Sequence, residues 1–302
     1  MDATIEFRRD FLWACRLDVQ ARKPGNVSTA SPGHGMDAGL FLESADAAAG
    51  PLTASHVGVG ERIEDAVRAT RARVGCNTNL GILLLAAPLA AAALRTAPGC
   101  TEASLRQALR EVLLGLDVAD ARAAYRGIAL AAPGGLGQSN EQDVQDVPTV
   151  TLRQAMVLAA DRDRIAAQYA SGYAEVFHLG APGFIGTFES ALSRGTDEAT
   201  AARQAMLRTF LQFLAKFPDS HIVRKHGAPL AHSVMAEAAP WVARARRGGL
   251  ADDDAGLAEW DESLKRRGIN PGTSADLAVA SALVAARLQP FLAPLAMASG
   301  LA

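Results

Sequence analysis

The run Leu80-Gly81-Ile82-Leu83-Leu84-Leu85-Ala86-Ala87-Pro88-Leu89-Ala90-Ala91-Ala92-Ala93-Leu94 is the most apolar stretch of the 302-residue chain. It is shorter than the ~20 residues a bilayer span needs, and Pro88 interrupts it, so it predicts a buried core helix. Polar punctuation stands on both sides. Gly75-Cys76-Asn77-Thr78-Asn79 precedes it, with Asn77 or Thr78 as N-cap candidate, and Pro98-Gly99 follows it. Outward from this run, helix-period segments recur near 4–22, 37–49, 56–73, 102–114, 117–131, 151–178, 183–194, 197–216, 229–247, 255–267 and 275–299, with the run itself inside 78–96. Asp37, Thr101, Asp117, Thr151 and Thr196 are further N-cap candidates. Gly50-Pro51, Pro133-Gly134-Gly135 and Gly248-Gly249 read as stops.

Alanine, leucine and arginine dominate, valine and isoleucine are sparse, and aromatics make up 5%, a mixture that favours helix over strand. No period-two alternation, fixed-period repeat or low-complexity linker is found. The expected architecture is all-α, a single-domain multi-helix bundle over residues 1–302 with its site in loops at helix N-termini. With 49% hydrophobic residues, the chain can bury a large core without disulfides or structural metals.

A net charge of −2 gives no global attraction to nucleic acid or anionic lipid, so any phosphate recognition must be local. Cys15, Cys76 and Cys100 form no CxxC pair or zinc spacing, which suits a reducing compartment. The start, Met1-Asp2-Ala3-Thr4-Ile5-Glu6, lacks the basic and apolar regions of a signal peptide, so a soluble cytoplasmic protein is expected. Near the other end, Asp276, Arg287, Pro290 and Pro294 break the apolar run 275–302 into an expected buried helix pair.

Four segments place glycine, a small hydroxyl or amide residue and a charge before a helix: Lys23-Pro24-Gly25-Asn26 through Gly33-His34-Gly35-Met36-Asp37, Gly75 through Asn79, Asp219-Ser220-His221, and Asn270-Pro271-Gly272-Thr273-Ser274-Ala275-Asp276. Helix starts expose unpaired N–H groups and the positive end of the dipole, which suits anions. Any one such loop is more simply a cap and turn. Four of the same kind point to a shared site. Gly33-His34-Gly35-Met36-Asp37-Ala38 fits GxGxxA, but no strand precedes it, which excludes the dinucleotide fingerprint. Walker A, HExxH and GxSxG motifs are absent. The longest loop, 133–150, carries Gln138, Ser139, Asn140, Glu141 and Asp143, and loops of that length often act as lids or binding loops.

On the helix before Asn77, the spacing of Glu61, Glu64 and Asp65 puts them on one face, with Arg68 placed to pair with Glu64 or Asp65. This is either a solvated, partly paired face or part of a Mg²⁺ site. Asp161 and Asp163 lie about 200° apart on the expected helix, so at most one can face a pocket. Among the histidines, His34 and His221 stand in glycine or hydroxyl contexts and are better site candidates than His56, His178, His226 or His232.

In chain order, KPGN (23–26), GHGMD (33–37), the acidic helix before NTNLG (77–81), DSHIVRK (219–225) and INPGTSADL (269–277) resemble the triphosphoribosyl-dephospho-CoA synthase family. The resemblance implies an all-helical transferase that uses ATP and 3′-dephospho-CoA, keeps the triphosphate and releases adenine. Such a reaction, passing through a sugar cation, calls for a carboxylate, phosphate donors and a proton donor for the base. On this resemblance, Lys23, Asn26, Ser28, Asn77, Thr78, Asn79, Arg224, Lys225 and Ser274 are expected to meet the nucleotide and its phosphates. Asp37, His34, Glu64, Asp219 and His221 are the catalytic candidates, the histidines to protonate or position adenine. Asp37, Glu61, Glu64, Asp65, Asp219 and Asp276 are the candidates for Mg²⁺.

The chain departs from the family pattern at three places. It reads Asn77-Thr78-Asn79-Leu80-Gly81 for N-T-H-K-G, Asp219-Ser220-His221 for D-T-N, and Asn270-Pro271-Gly272-Thr273-Ser274-Ala275-Asp276-Leu277 for S-P-G-G-S-A-D-L. It resembles a divergent branch, for which a related nucleotide-dependent transferase of one-carbon (pterin or furan type) cofactor biosynthesis is an alternative. A Mg²⁺-dependent nucleotide or ADP-ribose glycohydrolase and a noncatalytic helical scaffold are the others. The expected partners are small-molecule nucleotide and CoA-like substrates, with a homo-oligomer left open and with neither nucleic acid nor membrane.

Overall fold

Side chains that cap helices set half of the α-helix starts among the described residues. In the computed structural model, which describes residues 3–133, 141–247, 250 and 254–293, Thr101, Asp117, Thr151, Asp163, Asp197, Asp219 and Asp254 each accept a backbone N–H at a helix start. The resulting helices are α1 (Ala3–Gln20), α2 (Ala38–Leu52), α3 (Val59–Val74), α4 (Leu80–Ala93), α5 (Glu102–Leu114), α6 (Val118–Ala131), α7 (Leu152–Ala159), α8 (Arg164–Ser171), α9 (Ala181–Ser193), α10 (Glu198–Leu214), α11 (Ser220–His226), α12 (Ala228–Arg246), α13 (Ala255–Arg266) and α14 (Gly272–Leu288). A π-helical turn, Val176–Gly180, leads into α9. No strand occurs among the described residues, only the isolated bridges Ser28–Ser31 and Gly33–Met36, so the all-α expectation holds.

The long helix expected over 151–178 is instead α7, α8 and the π turn. Asp163 ends the continuity because its carboxylate caps Ile165 and Ala166 at 2.9 and 3.1 Å, starting a new helix. Asp161 lies in the turn before α8 and Asp163 caps it, so the two do not share a helix as expected. Asp197 rather than Thr196 caps α10. α11 lies where no helix was expected, and α14 starts at Gly272 and stops at Leu288, short of the expected 299. The expected stops Gly134-Gly135 and Gly248-Gly249, the loop residues Gln138, Ser139 and Asn140, and Pro294 lie outside the described residues. In the described part of that loop, Gln142 ties back to Thr149 through two hydrogen bonds and accepts one at its carbonyl from the Tyr125 hydroxyl, 2.7 Å away.

Two compact units divide the chain. The first takes the segments up to Leu12, Leu40–Ala174 and Arg287–Pro290, the second Trp13–Gly39, Glu175–Ala286 and the segment from Phe291 on. In the first, α4 is buried nearly all round, as its sequence predicts. Pro88 sits inside it and has no N–H for the Leu84 carbonyl one turn back. The Tyr169 hydroxyl donates to that carbonyl at 2.6 Å, and the Tyr173 hydroxyl donates to Leu85 O at 3.0 Å. Both tyrosines are fully buried, and burial pushes both phenols far above their ordinary range, so they remain donors. At its C-terminal end, α4 meets the buried Arg287, which donates to Ala93 O and Thr96 O.

In the second unit α9 and α12 pack against α10, and Phe177, Phe184, Phe188, Phe210 and Phe213 are buried. Trp13 meets Phe184 edge to face with ring centroids 5.9 Å apart. The π turn approaches α14 so closely that a Cβ at Gly180 would collide with Ser281, so only glycine fits there.

Candidate active site

Within the second unit, the loop from Lys23 to Asp37 is fastened to α13 and to the segment before α14. Gly25 has φ +82°, a conformation that favours glycine, and a Cβ there would meet Pro271 Cδ at 2.7 Å and Ile269 O at 2.9 Å. Its N–H donates to Asp261 Oδ1 at 2.8 Å, and Lys265 Nζ donates to Asp261 Oδ2 and Ser31 O, each at 3.0 Å. Ser31 Oγ donates to Glu262 Oε1 at 2.5 Å. Asn26 Nδ2 donates to Asn270 Oδ1 at 2.5 Å, while buried Asn26 Oδ1 has no donor among the described residues. Lys23 is fully buried, with Nζ 3.1 Å from Asp18 Oδ1 and donating to Asp18 O. Burial pushes the Asp18 carboxyl up against the pull of that lysine.

Asp219 joins α11 to α14. Its Oδ1 accepts the N–H groups of His221 and Ile222 at 2.9 and 3.2 Å, and its Oδ2 accepts Ser274 N and Oγ at 2.7 and 2.8 Å. Burial raises this carboxyl, and the Ser274 bonds work against the rise. The His221 ring lies against Gly272, where a Cβ would stand 2.6 Å from its Nδ1. Burial lowers the His221 pKa to about 4, helped by the positive charges of Arg224 and Lys225 and by His34 and His226. At neutral pH the ring is uncharged. His34, at φ +55°, donates from Nε2 to Gly25 O at 2.8 Å, since a carbonyl only accepts. Asp37 is exposed just before α2, and Asp276 is half-buried in α14, beyond its first turn.

The first unit carries the remaining candidates. Glu64 is buried on α3 and accepts from Arg126 at 2.9 and 2.6 Å and from Arg68 at 2.8 Å. The Arg126 bonds are the main reason that its carboxyl lies below the usual carboxylate range. Asp65 is exposed and pairs with Arg68 at 2.8 Å, and exposed Glu61 accepts the Gly58 N–H at 3.3 Å. The three acids thus differ in exposure despite their spacing. Asn77 Oδ1 accepts Leu80 N at 3.2 Å, Thr78 Oγ1 donates to Ser44 Oγ at 2.6 Å, and buried Asn79 reaches Thr70 Oγ1 at 3.4 Å. These side chains brace the turn before α4.

Five of the nine expected nucleotide contacts, Lys23, Asn26, Ser28, Asn79 and Ser274, are buried, so they shape the loops, while Arg224, Lys225, Asn77 and Thr78 keep exposed surface. Among the described residues, no group of three or more His, Cys, Asp or Glu is placed to hold a metal ion. Asp219 and Glu64 already spend their oxygens on protein donors. Asp18, Asp261, Lys265 and Asn270 are pairing partners that the sequence reading misses. The i,i+4 spacing of Asp261 and Lys265 was the available sign.

A helical protein whose glycine loop, paired carboxylates, histidines and basic helix gather in one unit has the makings of an enzyme for a polyanionic small molecule. The family model described as CitG, ATP:dephospho-CoA triphosphoribosyl transferase, matches residues 6–293, and the chain belongs to that family. Its reaction is the ATP-dependent transfer of a triphosphoribosyl group to dephospho-CoA. A solved structure of a candidate triphosphoribosyl-dephospho-CoA synthase from Archaeoglobus fulgidus is similar, with 23% identity and a TM-score of 0.60, covering 82% of this chain and 98% of that one. At that identity the likeness supports the fold. No curated protein matches the chain. No described helix is long and apolar enough to cross a membrane.

Proposed function

We propose that the ribose 2′-hydroxyl of 3′-dephospho-CoA attacks the anomeric carbon of ATP, that adenine leaves, and that α11 with the 23–37 loop receives the nucleotide. The observation that carries this reading is the environment of His221, a neutral imidazole beside Arg224 and Lys225, with His34 near it. Burial is the main cause of the low pKa and the charges of Arg224 and Lys225 add to it, so a triphosphate held by these two residues would raise the pKa from about 4. His221 would then take a proton more readily and could pass it to the departing base. Lys23 acts as a positioning residue for the loop, because its ammonium is enclosed with Asp18. The unmet acceptor Asn26 Oδ1 suits a hydroxyl donor better than a phosphate oxygen.

Mg²⁺ fits in the manner usual for nucleotides, shared between phosphate oxygens and one or two carboxylates. Asp37, exposed before α2, and Asp276, half-buried in α14, are the second-unit acids for that part. The ion would neutralise charge on the phosphates.

The test incubates the protein with ATP, Mg²⁺ and a panel of acceptors and follows adenine and adducts by mass spectrometry. Release of adenine with dephospho-CoA, together with the mass of the triphosphoribosyl adduct, is expected. Release without any acceptor means hydrolysis, and release only with another hydroxyl acceptor overturns the 2′-hydroxyl assignment. For His221, an NMR titration with inorganic tripolyphosphate should move its pKa upward from about 4. An unmoved value removes His221 from the phosphate site.

A further inference from the structure

A cleft of about 790 Å³ in the first unit is lined by α5, by Arg153 of α7 and by the C-terminal turn of α8, including Tyr169 and Ser171. From α5 it takes Ala103, Arg106, Gln107, Arg110, Leu113 and Leu114, the three- and four-residue spacing of one helix stripe. Its charge is lopsided, since Arg106, Arg110 and Arg153 face a single acid, Glu102. Arg106 pairs with Glu102 at 3.3 Å and Arg153 reaches Ala170 O at 3.4 Å. Arg110 is exposed and makes no hydrogen bond or ion pair among the described residues. At the far end of the stripe, Leu114 is 62% exposed beside buried Leu113, so cationic and apolar surface follow one another along the helix. At about 1.5 Å per residue, Arg106 and Leu114 stand roughly 12 Å apart along the axis.

We infer that this cleft binds a phosphorylated amphipathic small molecule, its anionic head on Arg106, Arg110 and Arg153 and its uncharged chain along Leu113 and Leu114. The groove is about half open to solvent, so a ligand would lie along it rather than inside it. Guanidinium groups suit a phosphate head because they donate paired N–H bonds to its oxygens. Retained exposed leucine next to unpaired arginine matches a ligand that presents both features at once. The site uses none of the residues placed in the transfer reaction, so it stands or fails separately from it.

The probes are n-hexyl phosphate, inorganic phosphate and hexanol, added to the full chain and followed by hydrogen exchange and calorimetry. Hexyl phosphate should protect residues 102–114 and 164–172 from exchange and bind more tightly than either fragment. Arg110→Glu should weaken it roughly tenfold or more, the scale of one charge-assisted hydrogen bond. Leu114→Asn should weaken hexyl phosphate while leaving inorganic phosphate unchanged. Both positions are exposed, and unaltered circular dichroism and Tm would show that the variants fold. Absence of protection in these two helices, or wild-type affinity in Arg110→Glu, overturns the inference.

Discussion

Tyr169→Phe removes one oxygen atom and should destabilise the protein far more than that atom's size suggests. Pro88 leaves the Leu84 carbonyl without its helical donor, and the Tyr169 hydroxyl at 2.6 Å takes that place inside a fully buried core. A buried carbonyl without a donor costs about 1–3 kcal/mol. The penalty should be conditional on the proline. In Pro88→Ala the new N–H can donate to Leu84 O, so Tyr169→Phe in that background should cost at least about 1 kcal/mol less. Urea denaturation of the wild type, both single variants and the double variant measures this coupling, with Tm falling by roughly 2–4 °C per kcal/mol. A cost below about 0.5 kcal/mol for Tyr169→Phe, or the same cost with and without Pro88, refutes the reasoning. Tyr173→Phe is the companion variant, since Tyr173 serves Leu85 O from a strained left-handed backbone at φ +62°.

Lys23→Met should destabilise by about 3–5 kcal/mol, because it leaves the buried Asp18 carboxylate without its partner. Lys23→Met with Asp18→Leu should recover most of that and restore the KM for ATP, and a KM that stays high in the folded double variant would put Lys23 on the phosphates. His221 should make the protein acid-sensitive. Its folded pKa of about 4 lies below the ordinary 6.5, so between those values the unfolded chain binds more protons and stability falls as the pH falls. The loss reaches at most about 3 kcal/mol before solvent screening is allowed for. His221→Gln should flatten this part of the stability curve, and identical slopes would contradict the burial of a neutral ring. Asp37→Asn should lower kcat for adenine release while leaving Tm within about 1 °C, as expected for an exposed surface residue, and an unchanged kcat removes Asp37 from the reaction.

Local signals in the sequence carried most of the fold. α4 was legible from its apolar run, and α5, α6 and α7 from Thr101, Asp117 and Thr151, since caps and periodicity act within a few residues. α11 was not, because seven residues are too few to show a period, and its cap Asp219 reads in sequence as a site acid. The break at Asp163 was hidden because an aspartate on a helix surface and an aspartate capping a new helix look alike in sequence. The site divides along the same line. Glycine loops and acids stood out by type, but their partners did not. Nothing near Gly25 announces Asp261, and nothing near Glu64 announces Arg126. Lys23 reads in sequence as a phosphate contact, and its enclosure with Asp18 is not legible there, because burial is a property of the whole packing.

The bond from Asn26 to Asn270 spans 244 positions of sequence. Ribosomes add about 5–20 residues per second, so the early loop waits on the order of 10–50 s after its own synthesis before its partner has been made. During translation that segment has only its near neighbours and cellular chaperones for company. Yield in a cell should therefore respond to elongation speed and growth temperature more than the equilibrium stability of the finished enzyme would indicate.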